Sequence, residues 1–147
     1  MAAKLATHHG AAVLLLAVLG SGCANSLLGP SPPATVTPCV DDSSDCIGKR
    51  QAELKRMMAD PKRSWVRETA DAKAYASGVR LFAFKQRKRE LSCDELVIGR
   101  KEADAGPQIL RGPDGKALTL SQVSRGVMLS QEVSRELNTE MKKRCKA

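Results

Sequence analysis

Histidine and aromatic side chains are the scarcest features of this chain. Its two histidines, His8 and His9, both fall within the first nine residues. Loss of a leading segment would leave no histidine, removing the commonest general base and the commonest transition-metal ligand together. Cysteine–histidine and serine–histidine catalysis are then excluded, and no serine–lysine pair at S-x-x-K spacing occurs. The aromatic supply is Trp65, Tyr75, Phe82 and Phe84. All four fall in one predicted helix, where core packing uses them. Stacking platforms for bases or sugars are poorly served, so no nucleic-acid partner is expected. Long apolar runs are also missing. The longest, Ala11 to Gly20, has ten apolar or small residues, half of the roughly 20 that a spanning helix needs.

That short run has the anatomy of an export signal. A start carrying Lys4 precedes it, and the small-residue zone Gly20-Ser21-Gly22-Cys23 follows, matching the positive, apolar and cleavage regions of a removable leader. Leu19-Gly20-Ser21-Gly22-Cys23 resembles the lipobox of bacterial lipoproteins. The resemblance implies cleavage before Cys23, acylation of the new N-terminal cysteine, and a membrane held through that lipid as partner. Ala24 behind the cysteine, rather than Asp, is similar to the outer-membrane sorting signal of some bacterial lipoproteins. Ordinary cleavage after Ala24 also fits, because Gly22-x-Ala24 is a small-x-small site. Residues 1–22 are accordingly read as signal peptide, 23–38 as a lipid-anchored tether and 39–147 as one domain. Pro30, Pro32, Pro33 and Pro38 favour an extended tether that reaches up to roughly 45 Å.

Beyond Cys23 the chain has Cys39, Cys46, Cys93 and Cys145. An even number of cysteines in an exported chain reads as disulfides. Their spacing does not supply the two close pairs of a zinc site. Asp41, Ser43 and Asp45 alternate as calcium ligands do, but Cys46 and Ala52 stand where an EF-hand loop needs Gly and Glu. No cofactor and no metal are expected. The formal charge is +8, a balance that favours anionic partners. Outside the cytoplasm these are lipid head groups, lipopolysaccharide phosphates, acidic wall polymers and acidic protein faces.

Periodicity predicts an all-α fold: a small four-helix, disulfide-stapled bundle behind the tether. A first helix covers Ser43 to Ala59, capped by Asp42, with Ile47, Gln51, Leu54 and Met58 as its stripe. Asp60-Pro61 opens a second, long helix to about Leu91. Its stripes are Val66, Ala70, Ala74, Ser77, Leu81 and Phe84, and Trp65, Ala72, Tyr75, Val79 and Phe82. Gly78 inside it implies close packing or a kink, and a strand over Val79 to Phe84 competes. Ser92 and Glu95 form a capping box for a third helix from Cys93 to Ala105, which Gly106-Pro107 breaks. Residues 108–118 read as loop. Thr119 and Gln122 cap a last helix to about Lys143, striped by Leu120, Val123, Val127, Ser130, Ser134, Leu137 and Met141. If the last two helices form an antiparallel hairpin, Cys93 meets Cys145 and Cys39 is left for Cys46.

No catalytic residue stands out. The paired-carboxylate alternative, an envelope enzyme, would use Asp94, Glu95, Glu102 and Asp104, whose spacing more simply gives a solvated helix face. A binding or scaffolding module of the envelope is the expected function. Such a small, stapled helical lipoprotein resembles, in architecture alone, the pilotins that escort secretion pores to the outer membrane; the likeness implies a groove that accepts a partner's helix. The binding surface expected from topology is a basic pole. Lys85, Arg87, Lys88 and Arg89 end the second helix, and Lys142, Lys143, Arg144 and Lys146 surround Cys145. A Cys93–Cys145 bridge gathers both clusters, opposed locally by Glu90, Asp94, Glu95 and Glu140.

Overall fold

The computed structural model describes residues 38–145. The leader, Cys23, most of the tether and Lys146 lie outside that range. The described residues are all-α, with five helices and two disulfides.

Helix α1 (Ser44–Ala59) is capped by Ser43 rather than Asp42, its hydroxyl accepting from the Cys46 amide at 3.2 Å. Asp42 instead pairs with arginines. The buried line of α1 also departs from the expected stripe. Cys46 and Met57 are buried and Leu54 and Met58 half-buried, whereas Ile47 and Gln51 are exposed.

The expected second helix is three pieces: a 3-10 turn (Ser64–Arg67), α2 (Ala72–Ser77) and α3 (Val79–Arg87). Local chemistry makes each break. The Asp60 carboxylate accepts from the Lys62 and Ser64 amides at 2.9 and 2.7 Å, winding the chain into a turn instead of a first helical turn. Asp71 accepts from the Ala74 amide at 2.7 Å and so starts α2 afresh. Gly78, at φ 72°, ends α2 in the left-handed region that other residues avoid, and its amide donates to Ala74. Trp65 and Phe84 still meet, edge to face with centroids 4.9 Å apart. Phe82, expected in the core, is 38% exposed.

Helix α4 (Cys93–Arg111) begins at the predicted Ser92–Glu95 capping box but runs through Gly106-Pro107. An interior proline costs about 3 kcal/mol. Burial of Leu110 beyond it offsets about 1.5–3 kcal/mol of that, partly buried Ile109 adds to it, and the added turn seats Leu110 against Gly126. Tertiary packing therefore overrides the local break. A 3-10 turn (Pro113–Gly115) then leads to α5 (Leu120–Arg144), opened by the Thr119–Gln122 capping box. Val127, Ser130, Val133 and Leu137 form its buried line, while Leu120 is 87% exposed.

Helices α4 and α5 make the most extensive pairing in the fold. Their antiparallel register is marked by Cys93 with Cys145, Asp104 with Ser134, Gly106 with Ser130 and Leu110 with Gly126. Helix α3 packs between α1 and α5. Both disulfides have the expected pairing, with Cα separations of 5.4 Å for Cys39–Cys46 and 5.7 Å for Cys93–Cys145. The first closes a loop fastened to the start of α5: Val40 carbonyl accepts from Gln122 Nε2 at 3.2 Å, and Asp42 accepts from Arg125 at 2.6 Å.

Candidate functional site, a cationic end with a charged groove

The Cys93–Cys145 bridge brings the end of α3 beside the end of α5. Arg144 strengthens the junction by donating to the carbonyls of Lys88 and Leu91, each at 2.9 Å. The Lys88 carbonyl, at the C-cap of α3, is one that the helix terminus leaves without an intrahelical partner.

Half of the expected basic cluster is consumed internally. Lys85 pairs with Glu132 at 2.6 Å and Glu136 at 3.5 Å, and Lys88 also pairs with Glu136. Arg87 pairs with Glu90 and donates to the Met58 carbonyl at 2.5 Å. Arg144 pairs with Glu140 at 2.7 Å. The opposing carboxylates thus include Glu132 and Glu136, which the sequence reading did not assign to this end. Glu95 is engaged by Arg63 at 3.0 Å and by the Ser92 amide at 2.7 Å rather than by the basic clusters, and Asp94 is exposed.

These pairs leave electrostatic marks. The hydrogen bond to Glu132 holds the Lys85 ammonium above its ordinary value. The Lys88 hydrogen bond, against a smaller effect of burial, holds Glu136 below the usual carboxylate range. Burial would raise Glu95, but hydrogen bonds from Arg63 and Ser92 outweigh it and leave it depressed.

Arg89, Lys142 and Lys143 are exposed and make no ion pair among the described residues. Between the end of α3 and the outer side of α5 runs a groove of about 350 Å³. Arg89 and Lys88 line one wall, and Arg135, Thr139 and Lys143 line the other. Glu132, Glu136 and Glu140 border it as well. Helix α5 therefore carries two parallel rows at i, i+4, i+8 spacing. The acidic row, 132–136–140, is engaged by Lys85, Lys88 and Arg144. The row 135–139–143 makes no ion pair among the described residues. Arg135 and Thr139 were missed in the sequence because the basic residues were grouped by nearness in the chain rather than by helical spacing.

The four carboxylates of the enzymatic alternative are dispersed. Glu102 is enclosed with Arg80, Asp104 accepts from Ser134 at 2.5 Å, Glu95 serves the α4 cap, and Asp94 faces outward. A second cleft of about 250 Å³ lies against Gly78 and Gly126 and is flanked by Arg50 and Arg125. Both arginines are turned to Asp42, at 3.8 and 2.6 Å. Cys39, Asp41 and Cys46 lie close together as metal ligands do, but both thiols are spent in the disulfide. No described helix is long and apolar enough to cross a membrane. Compared with protein-family models, curated proteins and solved structures, the chain matches none.

Proposed function

We infer that this protein is a lipid-anchored component of a bacterial envelope, a binding or scaffolding module whose cationic end engages an anionic envelope component. The observation that carries the reading is the junction of α3 and α5. There the Cys93–Cys145 bridge and Arg144 join the end of α3 to the end of α5, and Arg89, Lys142 and Lys143 are exposed without an ion pair among the described residues. Cations at helix C-termini gain about 0.3–1 kcal/mol each from the dipole. That suits Lys142, Lys143 and Arg144 in the last turn of α5 and Lys85 and Arg87 in that of α3, and it leaves Arg89, beyond α3, without an account. The lipobox-like segment ending at Cys23 and the two disulfides support export to an oxidising compartment.

The test uses full-length protein and vesicles containing phosphatidylglycerol or lipopolysaccharide, compared with neutral vesicles. Binding should weaken as salt rises, because exposed charges are screened beyond about 8–10 Å. It should fall sharply in the triple variant Arg89→Gln, Lys142→Gln and Lys143→Gln. Binding that ignores both salt and the triple substitution would refute the assignment to this end.

A further inference from the structure

We propose that the groove between the end of α3 and the outer side of α5 is a binding channel for a linear phosphate-bearing polyanion. The inference rests on the cationic-end reading above and names the ligand class. On α5, Arg135, Thr139 and Lys143 succeed one another at four-residue intervals, so the row extends about 12 Å along the helix. Arg89 faces it from the other wall. A single small anion cannot touch cations spread over that length. A chain with charges in series meets them together, and successive contacts then benefit from a high effective concentration.

The ligating groups also suit phosphate. Two guanidinium forks offer paired N–H donors in the geometry that phosphate oxygens accept bidentately, Lys143 adds a point charge and Thr139 a hydroxyl donor. Thr139 Oγ1 already donates to the Arg135 carbonyl at 2.9 Å, which holds the side chain in place in the row. The neighbouring acidic row decides against an acidic helix as ligand. A docked helix covers a stripe that takes in residues three and four apart, so its carboxylates would be pressed on Glu132 and Glu136 as well as on the cations. A slender chain along 135–139–143 need not lie over the acidic row, although Glu132, Glu136 and Glu140 border the groove.

The experiment is calorimetric titration of full-length protein with orthophosphate, tripolyphosphate, a longer polyphosphate and poly-glutamate of matched length. The expected result is that the longer polyphosphate binds at least about tenfold more tightly than orthophosphate. Arg135→Gln and Arg89→Gln should each weaken it several-fold. Lys116→Gln, before the start of α5 and at the far end of the domain, should not. All three positions are exposed, and an unchanged thermal midpoint verifies folding. Binding that is indifferent to chain length, or equally sensitive to Lys116→Gln and Arg135→Gln, would overturn the channel in favour of diffuse charge. Poly-glutamate binding as tightly as polyphosphate would overturn the phosphate assignment in favour of an acidic protein. Loss of polyphosphate binding with intact, salt-sensitive vesicle binding would reject the channel and leave the broader reading standing. Absence of both would reject the two together.

Discussion

Gly106 of α4 and Ser130 of α5 are in such close register that a Cβ on the glycine would lie 2.2 Å from Ser130 Oγ. The hydroxyl itself is fully buried and makes no hydrogen bond. Gly106→Ala therefore gains helix propensity of about 1 kcal/mol but overpacks the seam, and a net loss of about 1–2 kcal/mol is expected. Ser130→Ala should be neutral or mildly stabilising, because it removes an unpaired buried polar atom. Urea unfolding of both variants checks the pair. A more stable Gly106→Ala would show that the two helices separate readily.

The two disulfides should contribute unequally. The chain-entropy estimate gives about 4 kcal/mol for Cys93–Cys145 and about 2.5 for Cys39–Cys46, both upper-end figures. The double variant Cys93→Ser/Cys145→Ser should thus lower the denaturation midpoint more than Cys39→Ser/Cys46→Ser. It should also weaken binding at the cationic end, while the N-terminal pair should leave binding unchanged.

Arg80 and Glu102 form an enclosed pair between α3 and α4, with Arg80 Nε donating at 2.8 Å. Burial raises Glu102 above its ordinary value, and Arg80 only partly opposes the rise. The same burial, with the Glu102 charge, pushes Tyr75 up to about 12. Arg80→Met alone should cost about 3–5 kcal/mol by leaving an unpaired carboxylate, and Arg80→Met/Glu102→Leu should recover most of it. Because the folded pKa of Glu102 is raised, its contribution to stability is present below pH 4.5, the unfolded value, and is lost as pH rises through the folded one.

Glu136 behaves oppositely. Its depressed folded value means stability present above pH 4.5 and lost as pH falls through that folded value. Glu136→Gln should lower stability at neutral pH and flatten the acid side of the stability–pH curve. An acid limb identical to that of the parent protein would show that the Lys88 contact adds nothing.

Anchoring gives the fifth test. Cys23→Ser should abolish the acyl mass shift and move the protein from membrane to soluble fractions. A parent protein that begins at Asn25 with no acyl group would refute lipidation.

The parts of the fold legible in the sequence were those specified by neighbouring residues with one dominant signal. Ser92 with Glu95 and Thr119 with Gln122 opened α4 and α5 as expected, and the hairpin they begin brings Cys93 to Cys145. The second helix misled because its apolar period from Val66 to Phe84 ran unbroken through Asp71 and Gly78, the residues that interrupt it. Pro107 misled in the other direction. Its local preference was clear, but the burial of Leu110 one turn later was not. At the cationic end, the clusters were visible as runs of Lys and Arg. Their neutralisation was not, since Glu132 and Glu136 stand 47 and 48 residues from the lysines they bond. Such pairing emerges only when α3 lies along α5.

The loop closed by Cys39 and Cys46 is fastened near the first turns of α5, and Lys142 and Lys143 stand near its last turn. About 30 Å of helix separates the two. The described domain is therefore entered at one end, by Cys39, and carries Lys142 and Lys143 at the other. If the chain is held through Cys23 as proposed, shortening the segment before Cys39 should reduce contact of those cations with the anchoring leaflet while sparing capture of a facing one.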